Sequence, residues 1–473
     1  MVVIFDPLEI DIIRDPVHNY IIINKEEKKL IDTEPVQRLR YLKQTPSASF
    51  VYPGANHTRF EHSLGVCHLI GKIAKSLKDS GSISKLDKWE EDVQKARIAA
   101  LLHDIGHGPF SHTFEFFLKS LKIDLNHQKM TKLIIEKRLA NEIKQIFGLK
   151  DEDVQDISNM AVGEIMTVGD AVPRLYLAPM VGGQIDADKM DFLQRDALHT
   201  GTIEYGSIDV ERLVLNLKLI EDDKGVKKIG ILDRAAYAIE SLFLSRYQMY
   251  RAVYYHRTVR SYDLMLCDAL KSAKEEIDEL KCFEEGVTIE KLKKCDTFLP
   301  DYLDMDDYSM MGELKKLARK NGYSKINEIM HKIATRQHYR HAYGTIFTTD
   351  NPFLTQILLG HPEIIAEKET EIKSEAQVDK EVRIDVPYEF EIVPVPLDHS
   401  QITIIDDKGI EKSLKSYIQE EGKEKMPILH KIEWLGGLFV VLNVFTDADN
   451  KEDKEKIREA SIKCLGRGET LNI

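Results

Sequence analysis

The segment 101–112 concentrates side chains that can bind a metal ion and move protons. It holds His103, Asp104, His107 and His112 within ten residues. Neutral imidazole and carboxylate together suit a divalent ion such as Mn, Fe, Zn or Mg, and the remaining imidazoles can transfer protons near neutral pH. An apolar run precedes the His-Asp pair, and two glycines and a proline follow it. We therefore expect this cluster at the end of a buried helix, opening into a cavity.

An adjacent His-Asp pair is also common at the surface end of a helix, where it has no function. The distribution of the other histidines therefore decides between a functional site and an inert surface pair. Seven of the 16 histidines lie between residues 57 and 127, more than twice the number that an even distribution would place there. They are His57, His62, His68, His103, His107, His112 and His127. This enrichment predicts a functional site.

Helix signals place several of these histidines. Thr58 and Glu61 have the spacing of a capping box, so we expect a helix with His62 in its first turn. Taken alone, such a histidine is more often a core residue than a metal ligand. His112 and Glu115 are three residues apart on a helix predicted at 111–121, where the carboxylate can orient the imidazole, although inert surface pairs share this spacing. His127 is expected in a polar loop.

Two later segments are also candidates. Residues 186–196 contain four aspartates, with Asp188, Asp191 and Arg195 on one helix face; such helix starts are often only partners of the helix dipole. Residues 234–273 predict one or two helices in which arginines and tyrosines alternate. This pattern fits a clamp for a base and a polyphosphate, and it fits a helix interface equally well.

Composition restricts the class of protein. The chain has 473 residues, 43% of them hydrophobic and 31% charged, which is typical of a globular protein with one large domain and a smaller one. The net charge of -13 argues against non-specific binding of nucleic acid. Neither a secretory signal nor an apolar stretch of about 20 residues is present, so we expect a cytoplasmic protein that does not bind membranes. The five cysteines lack the CxxC spacing of a zinc knuckle.

The order of predicted elements indicates a mostly α fold. A strand pair at 10–23 precedes helices that extend to about residue 364. A polar linker is expected at 367–375, followed by strands at 382–386, 390–393, 402–405 and 437–445 and a helix at 451–465. We therefore divide the chain into a helical region, 1–364, and a small α+β region, 365–473.

Four sequence motifs follow one another along the chain, at residues 32–44, 59–66, 103–112 and 186–191. Together they resemble the motifs of the HD-domain deoxynucleoside triphosphate triphosphohydrolases, most of all the vertebrate members that add a SAM domain, which we do not expect here. The resemblance covers about residues 15–260. It implies an HD-domain helical core, with the catalytic site, the strand pair and an allosteric segment all within 1–364.

The resemblance also implies a metal centre and a reaction. The family's metal ligands fall on His62, His103, Asp104 and Asp188, which makes His62 a ligand here. The implied reaction is attack of a metal-activated water on the α-phosphorus, releasing a deoxynucleoside and triphosphate. His112, oriented by Glu115, matches the histidine that serves the leaving oxygen. The active-site histidines beside it are His107 and His127.

Further site residues follow from the same resemblance. The family's phosphate contacts match Arg59, Lys189 and Arg246, and Asp196 and Tyr254 match residues around the sugar. Two positions depart from the family: Phe192 replaces a tyrosine that contacts the sugar, and Tyr250 replaces a histidine. Selectivity for the sugar is therefore less constrained than hydrolysis.

A regulatory site is implied as well. Asp32, Gln37 and Arg40 match a site that reads guanine, whereas Asp11 and Arg14 replace a lysine and an asparagine that help to bind this activator. The resemblance thus implies a guanine nucleotide activator and a homo-oligomer, either a tetramer or a dimer.

Other members of the HD superfamily share the metal motif. A cyclic-dinucleotide phosphodiesterase of this superfamily has a Gly-Tyr-Pro sequence, which is absent here, and an alarmone hydrolase has Glu-Asp after its HD pair, where this chain has Gly-His-Gly-Pro. The alternatives are a phosphohydrolase acting on another nucleotide and a catalytically silent nucleotide sensor. The four intact ligand positions favour an enzyme.

Overall fold

The computed structural model describes residues 10–81, 88–164, 175–221, 227–274, 289–292, 294, 297–320, 325–348, 363–386, 402–418, 439–466 and 469–470. As predicted, the fold is mostly α, with a helical core and a small α+β region near the C-terminus. Among the helices that the structure describes, none combines the length and the apolar character that a bilayer crossing requires.

The N-terminal part begins with an antiparallel strand pair, Ile10–Asp15 and Asn19–Asn24, and continues as helices. These are Lys25–Ile31, Glu34–Gln37, Arg38–Tyr41, Ser47–Phe50, Arg59–Asp79, Trp89–Leu102, His112–Ser120, His127–Leu133, Ile134–Arg138, Ala140–Phe147, Asp151–Ala161, Ala178–Val181, Ala187–Thr200 and Val210–Val214. A hairpin of Leu217–Glu221 and Lys227–Leu232 follows.

Helices also dominate the middle of the chain. They are Asp233–Ala235, Ala236–Met249, Tyr250–Tyr254, Arg257–Ala273, Ile289–Leu292, Phe298–Asp304, Asp307–Lys320 and Lys325–Ala334. Tyr250–Tyr254 forms a π-helical turn, a feature that often occurs at functional sites.

The C-terminal part forms most of a four-stranded antiparallel sheet, in the order Glu469–Thr470, Arg340–Thr348, Phe439–Thr446 and Val382–Asp385. Helices Glu363–Ala376 and Lys451–Leu465 pack together beside this sheet. Strand Thr403–Ile405 pairs in parallel with Lys227–Leu232 and antiparallel with Glu411–Ser413, which leads into helix Leu414–Ile418.

The predicted division between residues 364 and 365 stays a prediction. Strand Arg340–Thr348 precedes it, yet it pairs with Phe439–Thr446. Strand Thr403–Ile405 follows it, yet it pairs with Lys227–Leu232. Residues from both sides of the division therefore share sheets.

The central helix Arg59–Asp79 begins as the capping signal predicts. The backbone N–H of Thr58 donates to Glu61 Oε1 at 2.7 Å, which completes the capping box. Thirteen residues of this helix are buried, so its position is fixed on several sides. A Cβ atom at Gly65 would lie 1.9 Å from Asp191 Oδ1, so only glycine allows helix Ala187–Thr200 to approach this closely.

Two local predictions were wrong. The expected linker at 367–375 lies within helix Glu363–Ala376, because Ile365, Ile372 and Ala376 form an apolar stripe against helix Lys451–Leu465. The charged residues between them conceal this period in the sequence. His127 begins a helix rather than lying in a loop, because the side chain of Asn126 accepts from the backbone N–H of Lys129 and caps it. The strand predicted at 390–393 and residues 437–438 lie outside the described residues.

Candidate active site

A cavity of about 720 Å³ collects most of the residues that the sequence singled out. Such a volume is typical of a small-molecule site. Its lining includes Arg59, His103, Asp104, His107, His112, Glu115, His127, Asp188, Lys189, Phe192, Asp196, Tyr250 and Tyr254. His62 is fully buried next to this lining, and its ring lies edge-on to that of His103 with the centroids 5.0 Å apart.

Three predicted metal ligands converge at one side of the cavity. His62 Nε2 lies 3.0 Å from Asp188 Oδ1 and 3.2 Å from His103 Nε2. One ligand atom from each of these residues lies within 4.8 Å of the others. Two imidazole nitrogens facing each other beside a carboxylate fit a shared cation better than a hydrogen-bonded pair, so the residues suit a divalent metal.

The electrostatics of His62 agree with a cation at this position. Burial lowers the pKa of His62, but hydrogen bonds to Asp188 and Asp191 outweigh it and raise the pKa to about 10. The surrounding carboxylates therefore favour positive charge on or beside this ring. HD domains bind divalent metals, and this His/Asp cluster could hold one.

The fourth predicted ligand, Asp104, lies slightly apart from the other three. Its Oδ1 is 3.4 Å from His103 Nε2, and its Oδ2 is 3.8 Å from His62 Nε2. Oδ2 also accepts from Arg59 Nη1 at 2.5 Å. Burial raises the pKa of Asp104, but the charge of Arg59 and the nearby His103 bring it well below its usual range. The carboxylate is thus ionised, as a metal ligand must be.

His62 is held by a hydrogen-bonded network in which Asp191 and Arg195, which share a predicted helix face, meet His18 and Asp15, which sequence analysis missed. Asp191 Oδ2 accepts from His62 Nδ1 at 2.8 Å, and its Oδ1 accepts from His18 Nε2 at 2.6 Å. Arg195 donates to both oxygens of Asp191, and it also donates to Asp15 at 2.8 Å. This carboxylate therefore fixes the ring orientation of His62 and directs its Nε2 atom towards Asp188.

Elsewhere in the cavity lining, Glu115 organises three further histidines. One of its oxygens accepts from His112 Nδ1 at 3.2 Å, and the other accepts from His127 Nδ1 at 2.8 Å. The rings of His107 and His127 stack with their centroids 4.1 Å apart. Because an ionised carboxylate only accepts, Nδ1 of His112 bears the proton and Nε2 can exchange one with a substrate.

Two pKa shifts follow from this packing. Burial raises the pKa of Glu115, but the bonds from His112 and His127 bring it well below its usual range. Burial and the positive charge of Arg59 lower the pKa of His107 well below its usual range. The cluster thus combines an ionised carboxylate with a neutral imidazole at neutral pH.

The turn between Asp104 and His112 has a strained backbone. Phe110 and Ser111 both have positive φ, 59° and 52°. Such conformations are costly for residues other than glycine and persist only where the surroundings hold them. Here Phe110 N–H donates to Asp307 Oδ1 at 2.7 Å, and Ser111 Oγ accepts from Arg59 Nη2 at 2.9 Å. Asp307, which sequence analysis missed, therefore stabilises the turn that leads into His112.

The predicted sugar-side residues also meet. Asp196 accepts from His57 Nε2 and from the Tyr254 hydroxyl, both at 2.6 Å. The Phe192 ring lies 6.3 Å from that of Tyr254 and 6.5 Å from that of His62, measured between centroids. This wall is therefore aromatic, with the Tyr254 hydroxyl engaged by Asp196.

Of the three residues predicted to contact phosphate, two line the cavity and the third does not. Arg59 and Lys189 line the cavity, and Lys189 Nζ donates to Asp186 Oδ2 and to the Gly183 carbonyl, both at 2.9 Å. Arg246 is buried, and its guanidinium lies 5.2 Å from the centroid of the Tyr250 ring, which does line the cavity.

The residues predicted for activator binding lie in a different place. Arg40 and Asp32 are exposed, and Arg40 Nε donates to Gln37 Oε1 at 2.8 Å. The Arg40 guanidinium also lies over the Phe60 ring at 3.6 Å. Gln37 Nε2 donates to the Ile31 carbonyl, next to Asp32. On the strand pair, Asp11 lies near Lys28, and Arg14 lies over Tyr20.

Comparison with protein families gives two matches. Residues 59–194 match the HD domain, and residues 208–394 match the HD associated region. The first match contains the four predicted metal ligands together with the histidine cluster. The second contains Asp307 and Asp385.

Several proteins are similar to this chain. A protein of Methanocaldococcus jannaschii is 32% identical over 403 residues, which cover 85% of this chain and 73% of that protein. The deoxynucleoside triphosphate triphosphohydrolase SAMHD1 homolog of Dictyostelium discoideum is 31% identical over 67% of this chain and 60% of that protein. Human deoxynucleoside triphosphate triphosphohydrolase SAMHD1 is 32% identical over 56% of this chain. The matched part spans only 45% of the human protein.

Among solved structures, the crystal structure of a hypothetical protein from Aquifex aeolicus is similar over nearly the whole length. It superposes with a TM-score of 0.68 at 26% sequence identity, covering 95% of this chain and 99% of that one.

Proposed function

Because this chain belongs to the HD-domain family and is a metal-dependent phosphohydrolase of that superfamily, we propose that it hydrolyses deoxynucleoside triphosphates to deoxynucleosides and triphosphate. One observation supports this most directly. His62, His103 and Asp188, which could hold a cation, lie in or beside the same cavity as His112, whose ring Glu115 orients. A phosphoester between them would have its phosphorus near the metal and its leaving oxygen near a proton donor.

The proposed chemistry divides between metal and protein. When bound to His62, His103, Asp104 and Asp188, the metal would lower the pKa of a water molecule and neutralise charge on the phosphate. Arg59 and Lys189 place positive charge at the cavity wall, where they would hold the polyphosphate in line. His112 in its imidazolium form, whose positive charge Glu115 stabilises through Nδ1, would donate the Nε2 proton to the leaving 5′-oxygen and become neutral.

The products decide this proposal. Purified protein is incubated with Mn²⁺ or Mg²⁺ and a panel of dNTPs, NTPs and cyclic dinucleotides, and the products are separated by ion-exchange chromatography. We expect deoxynucleoside and triphosphate in equal amounts. Pyrophosphate or orthophosphate as the initial product would rule out the proposed bond cleavage. Asp104→Ala should lose metal and activity while keeping its helical circular dichroism, because Asp104 faces the cavity.

The panel also distinguishes the alternatives. Turnover of ribonucleotides at the same rate would be consistent with Phe192, which has no hydroxyl to bind the sugar. Turnover of cyclic dinucleotides alone would indicate another HD phosphohydrolase, and metal binding without any turnover would indicate a nucleotide sensor.

We also propose that a guanine nucleotide binds at Asp32, Gln37 and Arg40 and promotes an active homo-oligomer, a tetramer or a dimer. A carboxylate and an amide can read a guanine edge while an arginine neutralises phosphate. Arg40→Ala should then raise the activator concentration required and leave the rate at saturation nearly unchanged. Light scattering and turnover are followed together across a GTP or dGTP titration. An oligomer and a rate that respond to neither nucleotide would exclude this regulation.

A further inference from the structure

The cavity wall is connected to the C-terminal sheet by a chain of hydrogen bonds, and the bonds nearest the sheet are buried. Asp385, at the end of strand Val382–Asp385, accepts from Arg260 Nε at 3.0 Å and from Arg260 Nη2 at 2.7 Å. Asp385 is 2% exposed and Arg260 is 8% exposed, so this bidentate pair is removed from water. A paired geometry of this kind fixes the plane of a guanidinium as well as its position.

Arg260 passes this constraint towards the catalytic cluster. Its Nη1 donates to Asp263 Oδ2 at 3.0 Å, and Asp263 Oδ1 accepts from Thr113 Oγ1 at 2.9 Å. Thr113 is buried in the first turn of helix His112–Ser120, directly after His112. The Arg260 guanidinium also lies 5.6 Å from the ring centroid of Phe116 on the same helix.

The start of this helix needs such support. It follows the strained turn at Phe110 and Ser111, and no side-chain hydrogen bond caps it at Ser111. The bond from Thr113 to Asp263 therefore contributes to the orientation of the turn that bears His112. Arg260, Asp263 and Thr113 all line the cavity, so they can transmit a displacement of Asp385 directly to its wall.

We propose that Asp385, from the C-terminal sheet, is a positioning residue for catalysis: it orients Arg260, which through Asp263 and Thr113 holds the helix start that bears His112. The C-terminal region thereby supports the active site, although none of its described residues lines the cavity. The proposal rests on the proposed function for the role of His112 and for the choice of substrate.

The chain supplies a matched control on the same two elements. Arg383, two residues before Asp385, donates to both oxygens of Asp268 at 3.0 and 3.1 Å, and Asp268 lies on the same helix as Arg260, Arg257–Ala273. This pair joins the same strand to the same helix, with the charges exchanged. Neither Asp268 nor Arg383 belongs to the described cavity lining.

The experiment compares Asp385→Asn with Arg383→Gln in the full chain loaded with Mn²⁺. An asparagine at 385 places an amide N–H against an N–H of Arg260, so the bidentate pair is lost without a change of shape. We expect kcat for dNTP hydrolysis to fall roughly ten- to hundredfold in Asp385→Asn, with KM within about twofold of wild type. Both variants should lower the thermal unfolding midpoint by similar amounts, but Arg383→Gln should leave kcat within about twofold of wild type.

A double-mutant cycle tests the path itself. Thr113→Val removes the last hydrogen bond of the chain, so combining it with Asp385→Asn should lower kcat little further, whereas its effect should add to that of Arg383→Gln. Additive losses for Thr113 and Asp385 would overturn the proposal. An equal loss of kcat in Arg383→Gln, a rise in KM alone, or an unchanged kcat in Asp385→Asn would each overturn it as well.

A second assay distinguishes failure of the proposed dNTP substrate from failure of the proposed role of Asp385. The same variants are measured with Mn²⁺ and glycerophosphocholine, a phosphodiester without a nucleotide whose alkoxide leaving groups need a proton, as the 5′-oxygen of a dNTP does. If wild type cleaves this ester but no dNTP, the proposed function fails, and the comparison of Asp385→Asn with Arg383→Gln on the ester still decides the positioning role.

Discussion

Asp191 is not a predicted metal ligand, but it holds His62, which is one. Replacing Asp191 by asparagine should therefore weaken metal binding. Asp191 accepts four hydrogen bonds, one each from His62 and His18 and two from Arg195, at 2.6 to 2.9 Å. Burial raises its pKa, but the charge and hydrogen bonds of Arg195 bring the pKa well below its usual range, so the residue is ionised. Asparagine keeps the shape and loses the charge.

The magnitude follows from the donors. Each carboxylate oxygen faces an N–H of Arg195 and a ring nitrogen of a histidine, so an amide NH₂ on either side opposes two donors. Loss of two charge-assisted bonds costs about 3–5 kcal/mol of stability, as for other broken buried ion pairs. If the amide faces His62, the imidazole loses the partner that sets its tautomer, and metal affinity should fall about 10- to 100-fold.

The assay is titration of chelator-stripped protein with Mn²⁺ by calorimetry, alongside urea unfolding. Glu27→Gln is the control: Glu27 forms an equally buried bidentate pair with Arg97, at 2.6 and 2.8 Å, but it contacts no metal ligand. Glu27→Gln should lose comparable stability and keep the wild-type Kd for Mn²⁺. If Asp191→Asn also keeps the wild-type Kd, Asp191 stabilises the fold only and the reasoning is refuted.

Three further changes test other parts of the site. His112→Ala should retain metal and nucleotide binding while kcat falls roughly 10²- to 10⁴-fold; a raised KM with kcat nearly intact would make His112 a binding residue. Gly65→Ala should lower Mn²⁺ affinity and the unfolding midpoint, because its Cβ would lie 1.9 Å from Asp191 Oδ1; a variant with wild-type values would show that the helices can separate there. Burial raises the pKa of Asp307 to about 6, so its protonation stabilises the folded state below about pH 4, and this contribution is lost as the pH rises through 6. Between these values wild type should lose about 3 kcal/mol relative to Asp307→Asn in urea unfolding, and a constant difference would contradict the shift.

The predictions from sequence succeeded where the information is local. The Thr58 and Glu61 spacing gave the start of the central helix, and the His-Asp pair followed by glycines gave a helix end at a cavity. The roles of the individual site residues stay predictions, although most of them line one cavity. Helical periodicity failed at 363–376, because only Ile365, Ile372 and Ala376 form its apolar stripe and charged residues stand between them.

Residues that support the site could not be found in this way. His18 and Asp191 are 173 positions apart, and Asp307 lies 197 positions from Phe110. Their hydrogen bonds depend on which elements meet in space, and neither residue type nor local spacing reports that. The sequence did place Asp191 on one helix face with Asp188 and Arg195, but it did not indicate that His62 and His18 are its partners. The only sequence signal at His18 was its position in the turn between the first two strands, and that does not indicate a role in the site.

The order of strands in the C-terminal sheet affects synthesis of the protein on the ribosome. Strands Arg340–Thr348 and Val382–Asp385 both pair with Phe439–Thr446, the partner that is translated last of the three. At about 5–20 residues per second, the first strand exists for roughly 5–20 s before that partner is made. During this interval its edge is unpaired and prone to association with other chains. Nascent chains stalled before residue 439 should therefore depend on chaperones more than completed ones.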